Sequence, residues 1–153
     1  MTSNTVVSVV MGSKSDEGHL EPAFKLLDGF GIDWETRVLS AHRQPDELRA
    51  YIQEADQKGV RVFIAAAGLS AALPGVIAAH TIKPVIGIPV PGGPLKGVDA
   101  LLSIVQMPGG IPVATVGVGS HGPKNAAVLA AEILSLTDEG IRKKLEEYRN
   151  SMK

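Results

Sequence analysis

The segment Pro45–Ala67, PDELRAYIQEADQKGVRVFIAAA, decides the fold class because it joins a helical pattern directly to a short apolar run. Pro45 suits the first position of a helix, and Gly59 suits the position at which that helix stops. The apolar residues between them recur at the i, i+3, i+4, i+7 spacing of one helix face: Leu48, Tyr51, Ile52 and Ala55. The run Val60–Ala67 is nearly continuous in apolar residues, as expected of a strand covered on both faces. The segment therefore predicts a helix followed by a buried strand.

The same alternation of apolar runs and helical patterns extends along the whole chain. We predict strands at Val6–Met11, Trp34–Leu39, Val60–Ala67, Val85–Val90 and Val113–Val118. The other helical patterns lie at Asp16–Phe30, Lys124–Leu136 and Asp138–Tyr148. Repeated strand–helix units build a parallel sheet with helices on both faces. We therefore expect an α/β protein in which residues 1–153 form a single domain, a doubly wound three-layer fold with a five-stranded parallel sheet of the flavodoxin-like type.

The composition argues against several classes of partner and chemistry. The chain has 15 Lys and Arg against 16 Asp and Glu, a formal net charge of −1, whereas binding to nucleic acid or an acidic membrane favours a basic surface. It has no Cys, which excludes disulfides, thiolate nucleophiles and cysteine-ligated metals. The four His residues lack metal-ligand spacing, so we expect no metal. The first apolar run has no basic residue before it, so we expect no signal peptide and a cytoplasmic location.

The chain combines a high share of hydrophobic residues with a low share of charged residues, and this composition predicts self-association. Hydrophobic residues make up 44% of it and charged residues 20%, below the usual share of about 25% for charged residues in soluble domains. The segment Leu69–His80, LSAALPGVIAAH, is apolar all round and predicts a helix that is buried on every side. We therefore expect a homo-oligomer in which this segment is buried where subunits meet.

The loops after the first two strands are the first candidates for a site, because ligands of open parallel sheets bind beyond the carboxyl ends of the strands. Gly12–Asp16, GSKSD, offers hydroxyl and N–H groups for a phosphate and a carboxylate for a sugar hydroxyl. On this motif alone, a helix cap at Ser15 or Asp16 is an equally good interpretation. Ser40–Arg43, SAHR, places a histidine, which titrates near neutral pH, beside an arginine that can bind a phosphate. An isolated His–Arg pair more often lies in a solvated loop without a function, but the position of this pair beside the first loop favours a site.

Three further segments could form parts of a site. Ala65–Gly75 contains no ionisable group, and it suits the wall of a pocket and plain core packing equally well. Pro89–Gly97 is typical of a loop beside a site. Gly117–Gly122 spells G-x-G-x-x-G, but no strand carrying an acidic residue follows it at the distance that a dinucleotide site requires. We interpret the remaining histidines as surface or helix-end residues: His19, His80 and His121.

Ordered blocks along nearly the whole chain carry a family resemblance. They are Gly12–Asp16, Ser40–Arg43, Ala72–Gly75, Gly97–Asp99, Ser103–Pro108 and Gly110–Val113. Together they resemble the purine-biosynthetic N(5)-carboxyaminoimidazole ribonucleotide mutases and the related aminoimidazole ribonucleotide carboxylases. The resemblance implies a metal-free, cofactor-free transfer of a carboxyl group from the exocyclic nitrogen to the adjacent ring carbon of a phosphoribosyl aminoimidazole substrate. It also implies a homo-octamer.

The resemblance implies roles for individual residues. His42 matches the general acid/base, and Ser13, Asp16 and Arg43 match residues that hold the phosphoribosyl part. The full set expected to bind the substrate is Ser13, Ser15, Asp16, Ser40, Ala41, Arg43, Ala67 and Gly68. A transient CO₂ needs dry, uncharged surroundings and one proton carrier, which agrees with these residues. Gln44 stands where Thr is usual and so loses a good helix cap.

The chain departs from the mutase pattern in one loop. Mutases usually read G-A-G-G-A-A-H-L-P-G over Ala66–Gly75, and here Leu69 replaces a Gly and Ala72 replaces the His. Ser70 and Ala72 are similar to the direct carboxylases, which use CO₂ itself. The longer stretch Leu95–Val116 is similar to the mutases, so we expect a mutase and keep the carboxylase as the alternative within the family.

A different class of function would use the same polar residues. A non-catalytic module that binds a phosphosugar or nucleotide needs the hydroxyl and arginine contacts but no proton carrier, so turnover that depends on His42 separates it from an enzyme. A receiver-type switch is excluded, because it needs carboxylates at the ends of the first and third strands. Those ends are Met11-Gly12 and Ala67-Gly68.

Overall fold

Residues 4–153 are described by a computed structural model, and they contain a parallel sheet with the strand order β2-β1-β3-β4-β5. The strands are β1 (Val7–Met11), β2 (Trp34–Val38), β3 (Val62–Ala67), β4 (Val85–Pro89) and β5 (Ala114–Thr115). The helices are α1 (Glu17–Phe30), α2 (Pro45–Gln57), α3 (Leu73–His80), α4 (Val98–Val105), α5 (His121–Ser135) and α6 (Glu139–Ser151), with a 3-10 turn (Lys14–Asp16) before α1. This order is that of a doubly wound, flavodoxin-like sheet, so the predicted fold class is confirmed.

The strands β1, β3 and β4 are buried over their whole length because helices cover both faces of the sheet. Successive residues of a strand point to opposite faces. Val9 of β1 accordingly belongs to the apolar cluster with α1, α5 and α6, whereas Val10 belongs to the cluster with α2, α3 and α4. The nearly continuous apolar runs correctly predicted two-sided burial for these three strands.

The edge strand β2 makes polar contacts in addition to the stacking of Trp34 on Phe24. Its sequence, WETRV, is not apolar throughout, and its residues are only partly buried. The Tyr51 hydroxyl on α2 donates a hydrogen bond to Glu35 Oε1 at 2.6 Å and lies 2.5 Å from the Ser8 hydroxyl oxygen on β1. Burial and the Glu35 carboxylate raise the pKa of Tyr51 well above its ordinary value. The expectation that all five strands are apolar and covered on both faces is therefore wrong for β2, and it is also wrong for β5, whose Ala114 is exposed.

The last strand is shorter than the apolar run Val113–Val118 that predicted it. Only Ala114 and Thr115 pair with β4. Gly119 then has a φ of 90°, a left-handed conformation that glycine adopts readily. The chain has left the sheet before this glycine, and it enters α5 at His121.

Helix α4 has no counterpart among the predicted helices. It spans one short segment, in which Ala100 and Ile104 are buried while Val98 and Leu102 are exposed. Because its apolar residues lie on the exposed side as well as the buried side, their spacing does not mark one face.

The apolar segment Leu69–His80 is only partly helical, since α3 begins at Leu73. The helix packs against β3 and buries Ile77, while Ala79 and His80 at its end are exposed. The chain by itself therefore does not bury this segment on every side, because the helix lies on one face of the sheet. Burial of the segment between subunits remains a prediction.

Candidate active site

A cavity of about 590 Å³ opens at the carboxyl ends of β1, β2, β3 and β4. Its volume is that of a small-molecule site. All the residues that we expected to bind substrate or to catalyse line it: Ser13, Ser15, Asp16, Ser40, Ala41, His42, Arg43, Ala67 and Gly68. The structure thus brings the predicted site residues together, and their roles remain predictions.

The register of the strands explains why these loops meet. Met11 at the end of β1 pairs with Val38 of β2 on one side and with Ala66 of β3 on the other. The N–H of Gly12 donates to the Ala66 carbonyl at 3.3 Å. The N–H of Leu39 donates to the Met11 carbonyl at 2.9 Å. The loop after β1 therefore lies between the loops after β2 and β3, at the point of a doubly wound sheet where ligands bind.

The loop after β1 offers polar groups at the start of α1. Ser13 Oγ accepts a hydrogen bond from the Ser15 N–H at 3.3 Å and lies 2.8 Å from the Ser15 hydroxyl oxygen. Asp16 occupies the N-cap of α1 but makes no side-chain capping hydrogen bond. Lys14 forms an ion pair with Glu17 at 2.7 Å. The capping interpretation is therefore wrong for Ser15 and Asp16, because Ser13 caps the 3-10 turn instead. The Asp16 carboxylate lines the cavity.

The Asp16 carboxyl is partly buried in the wall of the cavity. Burial raises its pKa above the ordinary value, and the nearby His19 and a backbone hydrogen bond from Ser13 offset part of that rise. His19 lies in the first turn of α1 and is half-buried, and its Nε2 has no hydrogen-bond partner among residues 4–153. Its helix-end position agrees with our interpretation, but its burial and its electrostatic effect on Asp16 were missed. A spacing of three residues on one helix was the signal that could have found them.

The loop after β2 is closed by its own hydrogen bonds. The N–H of Arg43 donates to the Ser40 hydroxyl at 3.2 Å, and Gln44 Oε1 accepts a hydrogen bond from the Ser40 N–H at 3.3 Å. The side chains of His42 and Arg43 are exposed, and within the described part of the chain neither has a hydrogen bond or an ion pair. The loop therefore presents an imidazole and an unpaired cation to the cavity.

The loop after β3 forms an uncharged wall. The Ala67 carbonyl accepts a hydrogen bond from the Val90 N–H at 3.0 Å, and the Gly68 carbonyl accepts one from the Ala71 N–H at 3.0 Å. Leu69, inside the resulting turn, has a φ of 49° and is 55% exposed. Such a backbone conformation costs a residue other than glycine about 1–3 kcal/mol. Within the segment Ala65–Gly75, the cavity favours the pocket-wall interpretation for residues 67–73, whereas Ala65 and Ala66 are packed in the core.

Val90–Gly93 lines the cavity, as expected for part of a loop beside a site, whereas Gly117–Gly122 does not. His80 and His121 are exposed at helix ends. Within residues 4–153, no cluster of three or more His, Cys, Asp or Glu residues is arranged to hold a metal ion. No helix in the same part of the chain is long and apolar enough to cross a membrane.

The fold and the cavity define a doubly wound α/β protein with a small-molecule site where its strand order reverses. The chain belongs to the AIR carboxylase family, whose model matches residues 6–153. It is similar to a protein of Pyrococcus abyssi, with 52% identity over 147 residues that cover 96% of this chain and 83% of the relative. It is also similar to a protein of Bacillus subtilis, with 49% identity over 148 residues that cover 97% of this chain and 91% of the relative. Both relatives are named N5-carboxyaminoimidazole ribonucleotide mutase.

A solved structure extends the likeness to three dimensions. The crystal structure of Treponema denticola PurE matches with a TM-score of 0.87 and 35% sequence identity, over 95% of this chain and 90% of that chain. Its architecture is thus shared over nearly the whole of both chains.

Proposed function

We propose that this protein is an N5-carboxyaminoimidazole ribonucleotide mutase, which moves a carboxyl group from the exocyclic nitrogen of its substrate to the adjacent ring carbon. The names of the relatives from Pyrococcus abyssi and Bacillus subtilis support this function. The observation that carries the proposal is the composition of the cavity: a polar side with Arg43 and serine hydroxyls, the imidazole of His42 and an uncharged wall surround one space. The reaction needs these three features for the phosphate, the protons and the migrating carboxyl group.

The polar side of the cavity suits the phosphoribosyl part of the substrate. Arg43 offers a planar guanidinium for a phosphate, and Ser13 and Ser15 offer hydroxyl groups beside the start of α1. The Asp16 carboxylate lines the cavity and can accept hydrogen bonds from ribose hydroxyls in addition to the one from the Ser13 backbone N–H. Ser40 closes the loop that carries Arg43. In this proposal these residues bind and orient the substrate and take no part in bond breaking.

The wall formed by Ala67, Gly68 and their neighbours suits the reacting end. It has no ionisable side chain that could protonate or trap a carboxyl group in transit. When the N–C bond breaks, its electron pair stays on nitrogen and CO₂ is released into this part of the cavity. The ring carbon then donates an electron pair to CO₂ and forms the new C–C bond. A site without water favours the second step over escape of CO₂.

His42 is the proposed proton carrier. The exocyclic nitrogen gains one proton during the reaction and the ring carbon loses one, so a single group can donate the first and accept the second. Asp16 is assigned to the ribose in this scheme, and Arg43 does not deprotonate in proteins. The imidazole of His42 has no partner within residues 4–153 that would occupy either nitrogen. It can therefore act on the substrate directly.

The test is an assay of the purified protein with two substrates supplied separately. N5-carboxyaminoimidazole ribonucleotide should be converted to 4-carboxy-5-aminoimidazole ribonucleotide without added bicarbonate. Formation of that product only from aminoimidazole ribonucleotide with CO₂ would identify a direct carboxylase instead. Binding of both ribonucleotides without turnover would identify the non-catalytic module.

We also propose that the enzyme works as a homo-oligomer, an octamer on the family resemblance, in the cytoplasm. Several large apolar side chains that the chain itself leaves exposed support self-association: Leu95, Val98, Leu102, Val105 and Ile111. The lack of cysteine and the biosynthetic names of the relatives support the location.

A further inference from the structure

Leu69 occupies a backbone position that normally belongs to glycine. It is the first central residue of the turn that the Gly68 carbonyl and the Ala71 N–H close at 3.0 Å, and its φ is 49°. A positive φ at this position of a β-turn strongly favours Gly, and a bulky apolar residue is uncommon there. Within residues 4–153, Lys96 is the other non-glycine residue with a positive φ, and it does not line the cavity.

The side chain of Leu69 bridges two walls of the cavity instead of packing into the core. It lines the cavity and remains 55% exposed. Burial of this side chain within the chain therefore does little to offset the energetic cost of the strained backbone. It lies directly against Gly93 in the loop after β4, where an added Cβ would come within 2.7 Å of Leu69 Cδ2. Gly93 thus leaves room for the leucine, and the two loops meet through this contact.

We propose that Leu69 is the apolar cover of the reacting end of the cavity, which keeps water away from the carboxyl group while it is detached from the substrate. The inference rests on the proposed mutase function. The uncharged wall begins at Ala67, and the turn at Leu69 projects a large, exposed apolar side chain toward Gly93 in the facing loop. A cover of this kind does not change the bonds formed or broken in the reaction. It acts on the fate of CO₂ after the N–C bond has broken, because CO₂ that escapes leaves aminoimidazole ribonucleotide behind.

The escape of CO₂ can be measured with N5-carboxyaminoimidazole ribonucleotide that carries ¹³C in its carboxyl group. The enzyme converts this substrate in the presence of unlabelled bicarbonate, and the label in the product is determined. The wild-type enzyme should retain most of the label in the carboxylated product. Leu69→Gly removes the side chain and relieves the backbone, so it should fold, and its product should lose label several-fold more often. Leu69→Asn keeps the left-handed backbone and replaces the apolar cover by a polar group, so it should lose label as well. Leu69→Met, a volume-conserving apolar replacement, should restore retention.

Lys96→Gly is the matched control, because it relieves the same kind of backbone strain outside the cavity, and it should retain label like the wild type. Label retention at the wild-type level in both Leu69→Gly and Leu69→Asn would overturn the inference. Label loss that appears only together with a changed molar mass in light scattering would also overturn it, since Leu69 would then act through subunit contacts. A wild-type enzyme that forms no carboxylated product from the labelled substrate would instead overturn the mutase function itself.

Discussion

The side-chain oxygen of Gln44 accepts a hydrogen bond from the backbone N–H of Ser40 at 3.3 Å, across the loop that carries His42 and Arg43. The backbone bond from Gln44 N–H to the Ser40 carbonyl, at 2.9 Å, runs between the same two residues. Gln44 is the N-cap of α2 but makes no side-chain capping bond to that helix. Its side chain therefore fixes the site loop, where a threonine would have capped the helix.

Replacing Gln44 should loosen this loop and lower activity. Gln44→Ala removes a hydrogen bond worth about 0.5–1.5 kcal/mol, and we expect a several-fold lower kcat/KM with a folded protein. Gln53→Ala, on the exposed side of α2, is the control and should have no effect. Steady-state kinetics of both variants and the wild type test this prediction. A kcat/KM of Gln44→Ala equal to that of the wild type would show that the Gln44 hydrogen bond does not position the site.

Arg43→Ala should weaken substrate binding more than it slows bound substrate. A phosphate contact far from the reacting carbon is nearly the same in the ground state and the transition state, so its loss raises KM. Loss of a charged hydrogen bond costs about 1.5–3 kcal/mol, which corresponds to roughly 10- to 150-fold in KM. Arg49→Ala on the exposed surface of α2 should leave KM unchanged. An unaltered KM in Arg43→Ala would remove this arginine from the phosphate site.

Asp16→Asn should make the protein more stable at neutral pH. Burial raises the pKa of Asp16 above its ordinary value of 3.8, so the folded state binds a proton more tightly than the unfolded state and the charged form destabilises the fold. The wild type should lose stability as the pH rises through the interval between 3.8 and the raised pKa. The variant should lack this loss and should bind substrate poorly.

Urea unfolding of wild type and Asp16→Asn between acid and neutral pH tests that prediction. The difference in unfolding free energy should shrink toward zero as the pH falls below the interval. Asp33→Asn, at an exposed position outside the cavity, is the control. A variant that is less stable than the wild type at neutral pH would contradict the prediction.

Self-association should be visible in light scattering at micromolar concentration. We expect a molar mass that is a multiple of 16.0 kDa. Ala79→Glu places a charge on the exposed end of α3, within the segment Leu69–His80, and should lower the mass. Ala50→Glu on the exposed surface of α2 should leave it unchanged. A wild-type mass of 16.0 kDa would rule out the oligomer.

Most of the sheet and the position of the site could be predicted because their signals are local. The helix α2 follows from four apolar residues on one face, and the loops after β1 and β2 follow from the strand ends that precede them. The order of the strands then places His42 and Arg43 beside Ser13 and Asp16. Apart from the strand order, these predictions do not need the packing of residues that are distant in the sequence.

The features that were missed depend on such packing. Helix α4 leaves Val98 and Leu102 exposed, so its periodicity does not point to a core. The left-handed backbone of Leu69 depends on the turn around it and on the space beside Gly93, which is distant in the sequence. The burial of His19 depends on the way that α1 lies on the sheet.

The most direct measurement is the turnover and substrate affinity of His42→Asn, with His80→Asn at an exposed helix end as the control. A positioned acid/base contributes about 10²–10⁴-fold, whereas Ser13, Asp16 and Arg43 should still hold the ribonucleotide. We predict that His42→Asn binds N5-carboxyaminoimidazole ribonucleotide within a few-fold of the wild type and loses nearly all conversion to the carboxylated product, while His80→Asn keeps both. Normal binding by His42→Asn with conversion close to the wild-type rate would contradict the mechanism.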